Sequence, residues 1–146
     1  MATSGTINGT ILRLFVDDSG TQKPIANLVS NDISFTKDLI EVTSKSSSGS
    51  KEFMYGHFGA SGSFEGRFEE SSSIGATEYS FEELYSVMVA GTNLSVVFTT
   101  DVTGDRKYTG SALLGSLSLS SPDNDAASFS GDITITGAVT QGEVPV

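Results

Sequence analysis

The chain of 146 residues contains no cysteine, no tryptophan, a single histidine and only three prolines. Without cysteine there is no disulfide framework and no thiolate metal site. With His57 as the only imidazole, neither a metal site with two histidines nor a serine-histidine relay with a spare histidine can be built. No apolar run approaches the roughly 18 residues of a membrane span, and residues 1–10 lack the basic start and apolar stretch of a secretion signal. Assembly in a cytoplasm, with no membrane partner, is therefore expected. Positive charge is scarce as well: eight Lys or Arg against 18 Asp or Glu give a formal charge of −10. Such a surface repels nucleic acid, whose affinity for proteins comes largely from Lys and Arg displacing counterions. Reading of DNA is excluded on that ground, whereas an acidic wall past which DNA slides without binding suits the charge.

What is present is a globular composition, 37% apolar with nine Phe, long enough for one domain over residues 1–146 with a real core. Residues 11–16 and 25–29 read as a hairpin, with the Asp17–Gly20 cluster as its turn and Pro24 opening the second strand at a sheet edge. Residues 94–100, residues 108–119 (one long strand or two broken at Gly115) and residues 127–136 read as further strands. The last alternates Phe129, Gly131, Ile133 and Ile135 inward with Ser130, Asp132 and Thr134 outward. One helix is predicted over Phe81–Ala90. Ser80 and Glu83 form a capping box, Tyr79 and Leu84 a hydrophobic staple, Gly91 ends the helix, and Phe81, Leu84, Tyr85 and Met88 form its inner face. The fold class expected is mainly β: an antiparallel β-sandwich or partly open barrel of about seven or eight strands with one α-helix. Residues 1–10 read as a flexible or edge-pairing arm and residues 137–146 as a loose tail whose apolar end docks on a neighbour.

No constellation points to catalysis, and no cofactor or metal is expected. Asp123 with Asp125, and Asp101 with Asp105, do not match the EF-hand calcium loop, and turns explain them better. The glycines of YGHFGASGSFEG are followed by no GK[ST] and open no helix, so they form no phosphate loop. Glu65 and Glu69 have Arg67 between them and no Trp on which a sugar could stack, which leaves charge on a solvated face or a channel wall.

The chain is organised around residues 32–70, DISFTKDLIEVTSKSSSGSKEFMYGHFGASGSFEGRFEE. Two alternating runs, one with Ile33 and Phe35 and one with Phe64 and Phe68, are joined by a polar arm over residues 43–52. Hairpin loops usually run about two to five residues, so an arm of this length is either mobile or held by something outside the domain. The order ISF, IEVTS, Ser/Gly arm, KEFMYG, GSFEG resembles the major tail tube proteins of long-tailed bacteriophages, and the likeness extends in arrangement to nearly the whole chain.

The resemblance implies a structural, non-enzymatic virion protein: six copies close into a ring, and rings stack into a tube that conducts DNA and, during assembly, a tape-measure protein. Tail terminator and baseplate proteins would be further partners. By position the loop reaching the adjacent ring would be Thr43, Ser44, Lys45, Ser46, Ser47, Ser48, Gly49, Ser50 and Lys51. Alternation would place Phe35, Phe64, Phe68, Phe129 and Ile133 against the helix. It would leave Ser34, Thr36, Glu41, Ser63, Glu65, Arg67, Ser130 and Asp132 to line a net-negative lumen. The inner tube of a contractile tail or injection machine fits the same pattern. A β-sandwich binding module or head decoration protein is the reading from another class.

Overall fold

The computed structural model describes residues 3–145. Seven strands, β1 (Arg13–Asp18), β2 (Thr21–Pro24), β3 (Leu28–Glu41), β4 (Phe53–Arg67), β5 (Leu94–Thr99), β6 (Arg106–Ser120) and β7 (Ser128–Glu143), form one sheet in the order β2-β1-β5-β6-β7-β4-β3. Every neighbouring pair is antiparallel. The expected class holds, with seven strands and the single helix α1 (Phe81–Ala90), but the layers are not two separate sheets.

Connectivity explains why one sheet suffices. Strands β2 and β3 stand at opposite edges, yet only residues 25–27 join them. That link spans at most about 14 Å, whereas a flat sheet of seven strands would hold its edges about 29 Å apart. The sheet must therefore coil over on itself. Its edges approach without a closing ladder, because Ile25 leaves β2 to bridge Tyr79 and the Asn27 carbonyl accepts from the Arg67 N–H at 3.0 Å. Residues 25–29 are accordingly not the second strand of the first hairpin. That role falls to Thr21–Pro24, with Pro24, which has no N–H to donate, at its end and not its beginning.

The coiled sheet and α1 enclose a core of Leu14, Val16, Ala60, Phe64, Leu84, Val96, Ala112, Phe129 and Ile133 with their neighbours. Alternation in β4 and β7 is as expected: Phe64, Phe129 and Ile133 are buried while Glu65, Ser130 and Asp132 face water. Gly131 is required here, because a Cβ on it would lie 2.6 Å from the Phe64 ring and 2.9 Å from Leu117. The helix starts and stops where its signals stand. Ser80 Oγ accepts from the Glu83 N–H at 3.4 Å, and Gly91, at φ 72, donates to the Val87 and Met88 carbonyls. Its inward stripe is Leu84, buried, with Phe81 and Val87 half-buried; Phe81 and Leu84 lie inside as expected, whereas Tyr85 and Met88, also expected there, are exposed.

Of the two readings of residues 108–119 the single long strand holds: β6 continues through Gly115, where its register with β7 shifts between Leu114 and Ser116. One further expectation is corrected. Residues 137–143 are no loose tail but the end of β7, because the start of β6 offers them a ladder, from Arg106↔Glu143 to Thr109↔Thr140.

Candidate assembly surfaces

Three surfaces of the molecule lack the burial their residues call for or show a concentrated chemistry. The first is the outward face of β3, β4, β7 and β6. The register sets Ser34 opposite Ser61, Thr36 opposite Gly59, Ser63 between Asp32 and Asp132, and Glu65 opposite Ser130. Paired residues of an antiparallel ladder share a face, so seven of the eight residues expected at a lumen, Ser34, Thr36, Ser63, Glu65, Arg67, Ser130 and Asp132, come together. Glu41 does not: it pairs with Phe53 beyond a register shift between Lys37 and Leu39, out of phase with Ser34 and Thr36. The same face gathers Asp32, Ser116 and Ser118, which sequence reasoning missed. Their own alternation with Ile33, Leu117 and Leu119 was the available signal. Ser63 donates through its N–H and its hydroxyl to Asp32 Oδ1, both at 2.9 Å, and Ser116 Oγ donates to Asp132 Oδ2 at 3.2 Å. Asp32, Glu65 and Asp132 against Arg67 leave this serine-rich wall net negative.

The second surface is the far end of the β3–β4 hairpin. The core stops at Ala60, while the hairpin runs on with exposed Phe35, Leu39, Ile40, Met54, Tyr55 and Phe58. Tyr55 is 69% and Leu39 63% accessible. Phe35, expected against the helix, lies instead on Phe58 and Tyr108, with ring centroids 6.3 and 5.5 Å away. The Lys37 ammonium sits 4.8 Å from the Tyr55 ring centre. An apolar extension with water around it is the feature of a monomer that binds something. Along β3 the outer edge is free as well, since its only ladder partner is β4.

The third is the arm at the hairpin tip, where the structure adds order that composition did not suggest. Val42 and Glu52 close its neck, N–H to carbonyl at 2.8 Å, and the Thr43 hydroxyl accepts from the Glu52 N–H at 2.9 Å. Ser44 caps a short 3-10 turn over Lys45–Ser47, Ser47 is buried, and its hydroxyl donates to Glu52 Oε2 at 2.8 Å. Ser48 and Gly49, at φ 54 and 84, turn the chain back. The arm is thus anchored to itself by serine and threonine hydroxyls, not to the core.

Both chain ends are tied to the β5–β6 turn. Asp105 accepts from the Thr3 N–H and hydroxyl, each at 2.6 Å, and from the Thr100 hydroxyl at 2.5 Å, while its carbonyl accepts from the Val144 N–H at 2.8 Å. The hydrogen bonds from Thr100 and then Thr3 hold its carboxyl below the usual carboxylate range. Within the arm of residues 1–10, Thr3 is thus anchored while residues 4–10 are exposed; residues 1–2, and residue 146 of the expected C-terminal arm, lie outside the described residues. His57 is exposed, and Asp123 lies in a turn as expected. Among the described residues no group of acidic and imidazole side chains is placed to hold a metal, and no helix is long and apolar enough to cross a membrane.

This fold is shared. A chain in the virion of the native gene transfer agent particle superposes with a TM-score of 0.77 at 23% identity, over 94% of this chain and 99% of that one. A chain of the SPP1 tail tube gives 0.73 at 12% identity, over 97% and 81%. One in the six-fold symmetrised baseplate of the anti-feeding prophage gives 0.67 at 10%, over the whole of both chains. No curated protein matches the sequence. The family model for the phage tail tube protein, however, matches residues 7–141, nearly the whole domain just described, and the chain belongs to that family.

Proposed function

We propose that six copies close through their open sheet edges into a ring, and that rings stack into the tube of a long non-contractile phage tail. The observation that carries this reading is the projecting hairpin, whose exposed apolar side chains other copies would cover. In that tube the serine-rich acidic wall faces the channel and repels the phosphates of passing DNA, so that DNA slides without specific binding. A gene transfer agent tail of the same fold, at 24% identity, has C6 symmetry, which supports the number six. The protein acts by shape and charge in the virion tail and carries no catalytic role. It meets tape-measure, terminator and baseplate proteins, after assembly in the host cytoplasm.

Negative-stain microscopy of the concentrated protein tests the reading: hollow tubes or six-fold rings are expected, and featureless particles at every concentration would refute it. Deletion of residues 46–50, which carry nothing apolar, should leave a folded monomer and abolish long tubes. Tubes of wild-type length from that variant would remove the arm from ring stacking.

A further inference from the structure

Beside α1 lies a groove of about 300 Å³ lined by Phe68, Phe81, Tyr85, Ser86, Leu119 and Glu82. Its floor is preformed, since Phe81 packs edge-on to Phe68 and tilts against Phe129, both with centroids 5.8 Å apart. Its rim is open: Tyr85 is 57% and Leu119 55% accessible. Glu82, half-buried, adds a carboxylate to this lining, and its Oε2 has no hydrogen-bond partner among the described residues. Among the described residues the ion pairs are Lys23 with Asp18 and Arg106 with Glu143, and Lys23, which also faces Glu83, is held by Asp18 at 2.9 Å.

The complement of this groove stands at the other end of the same strand. Phe53 and Tyr55 are exposed at alternate positions of β4, which puts two aromatic rings on one side, and the exposed cation Lys51 stands two residues before the strand begins. Phe53 opens β4 and Phe68 directly follows its end, so the two surfaces are about 50 Å apart along one chain and cannot meet within it. Complementary patches at opposite ends of a molecule make a head-to-tail contact that propagates without closing.

We propose that the groove beside α1 receives Lys51 and Phe53 of the next copy along the tube, the Lys51 ammonium pairing with Glu82 and the Phe53 ring lying between Phe81, Tyr85 and Leu119. This rests on the tube reading and gives it a receptor for the arm. Because the chain has no cysteine, the double variant Lys51→Cys with Ser86→Cys tests the contact directly. Oxidation of assembled tubes should produce a ladder of covalent multimers on non-reducing gels, absent before assembly and absent when Ser86→Cys is replaced by Gly20→Cys.

A charge exchange gives a second readout that does not depend on thiol geometry. Glu82→Lys should lower the yield of tubes about tenfold or more by like-charge repulsion, and adding Lys51→Glu should restore it. Normal tubes with no ladder from the Ser86→Cys pair, or no rescue by the charge exchange, overturn the groove assignment and leave the tube reading standing. A wild-type chain that forms no tubes removes both.

Discussion

At one end of the β3–β4 ladder Phe64 is 2% accessible, sealed between Phe129 and Gly131 under the coiled sheet; at the other end of the same ladder Tyr55 is 69% accessible and its apolar neighbours share its exposure. Both ends are hydrogen-bonded strand for strand. What differs is the burden on the side chains. In the buried half one face is apolar and the other polar, so alternation satisfies the monomer. In the projecting half Ile40 and Met54, and Leu39 and Tyr55, pair at successive positions, so both faces are apolar and a single chain cannot hide them. Hydrophobic residues that no fold of one copy can bury are there for contact with another molecule.

Substitutions should therefore separate stability from assembly, and the largest loss of stability belongs to the buried half. Leu84 is fully enclosed, and Leu84→Ala should cost about 2–5 kcal/mol in denaturant unfolding; a loss no larger than that of a surface change would show that α1 is not part of the core. Next comes Gly131→Ala, whose new Cβ meets the Phe64 ring, with an expected cost of about 1–3 kcal/mol from overpacking. An unchanged unfolding midpoint would mean that the ring has room to retreat. In the projecting half the effect should invert. Phe53→Ser with Tyr55→Ser is expected to shift stability by less than about 0.5 kcal/mol each while suppressing tube formation in sedimentation and microscopy. A large drop in the monomer's unfolding midpoint would mean that the hairpin is held by its own chain after all.

The smallest effect is local and depends on pH. Hydrogen bonds from Thr100 and Thr3 lower the folded pKa of Asp105, so the stability it contributes is fully present above the ordinary carboxylate pKa of about 3.9. It is lost as the pH falls through the lowered folded value. The protection of the Thr3 amide, taken as the ratio of intrinsic to observed exchange rate, should fall on that descent, and in Asp105→Asn that protection should lose its pH dependence in this range. Protection of Thr3 that is insensitive to acid in the wild-type chain would show that this segment is held by something other than the Asp105 carboxylate.

Much of this was legible in the residues because the signals were local. Ser80, Glu83 and Gly91 bound the helix to within the residue, and alternation in residues 60–67 and 128–136 sorted core from wall, since a pleated strand can only present successive side chains to opposite sides. The failures share one cause, the dependence of a segment on a distant partner. Residues 137–143 are too small and polar to announce a strand, yet pair along the start of β6. Residues 25–29 have strand composition, yet are pulled aside by Tyr79 because three residues must bridge two sheet edges. Tyr85 stands four residues after Phe81 and Met88 four after Leu84, but the sheet approaches α1 from the side of Phe81 and Val87. The polar arm concealed its order for a different reason, its anchors being hydroxyls closing rings of a few residues and not apolar groups.

By themselves the amino acids determined the class of this protein, because periodicity and local capping signals set helix and strands. Only the tertiary structure decided which apolar residues are left over, because burial is a property of the coiled sheet as a whole and not of any segment. It is the sheet's failure to cover the β3–β4 end that leaves Leu39, Ile40, Met54 and Tyr55 of this tail tube protein exposed in the single copy.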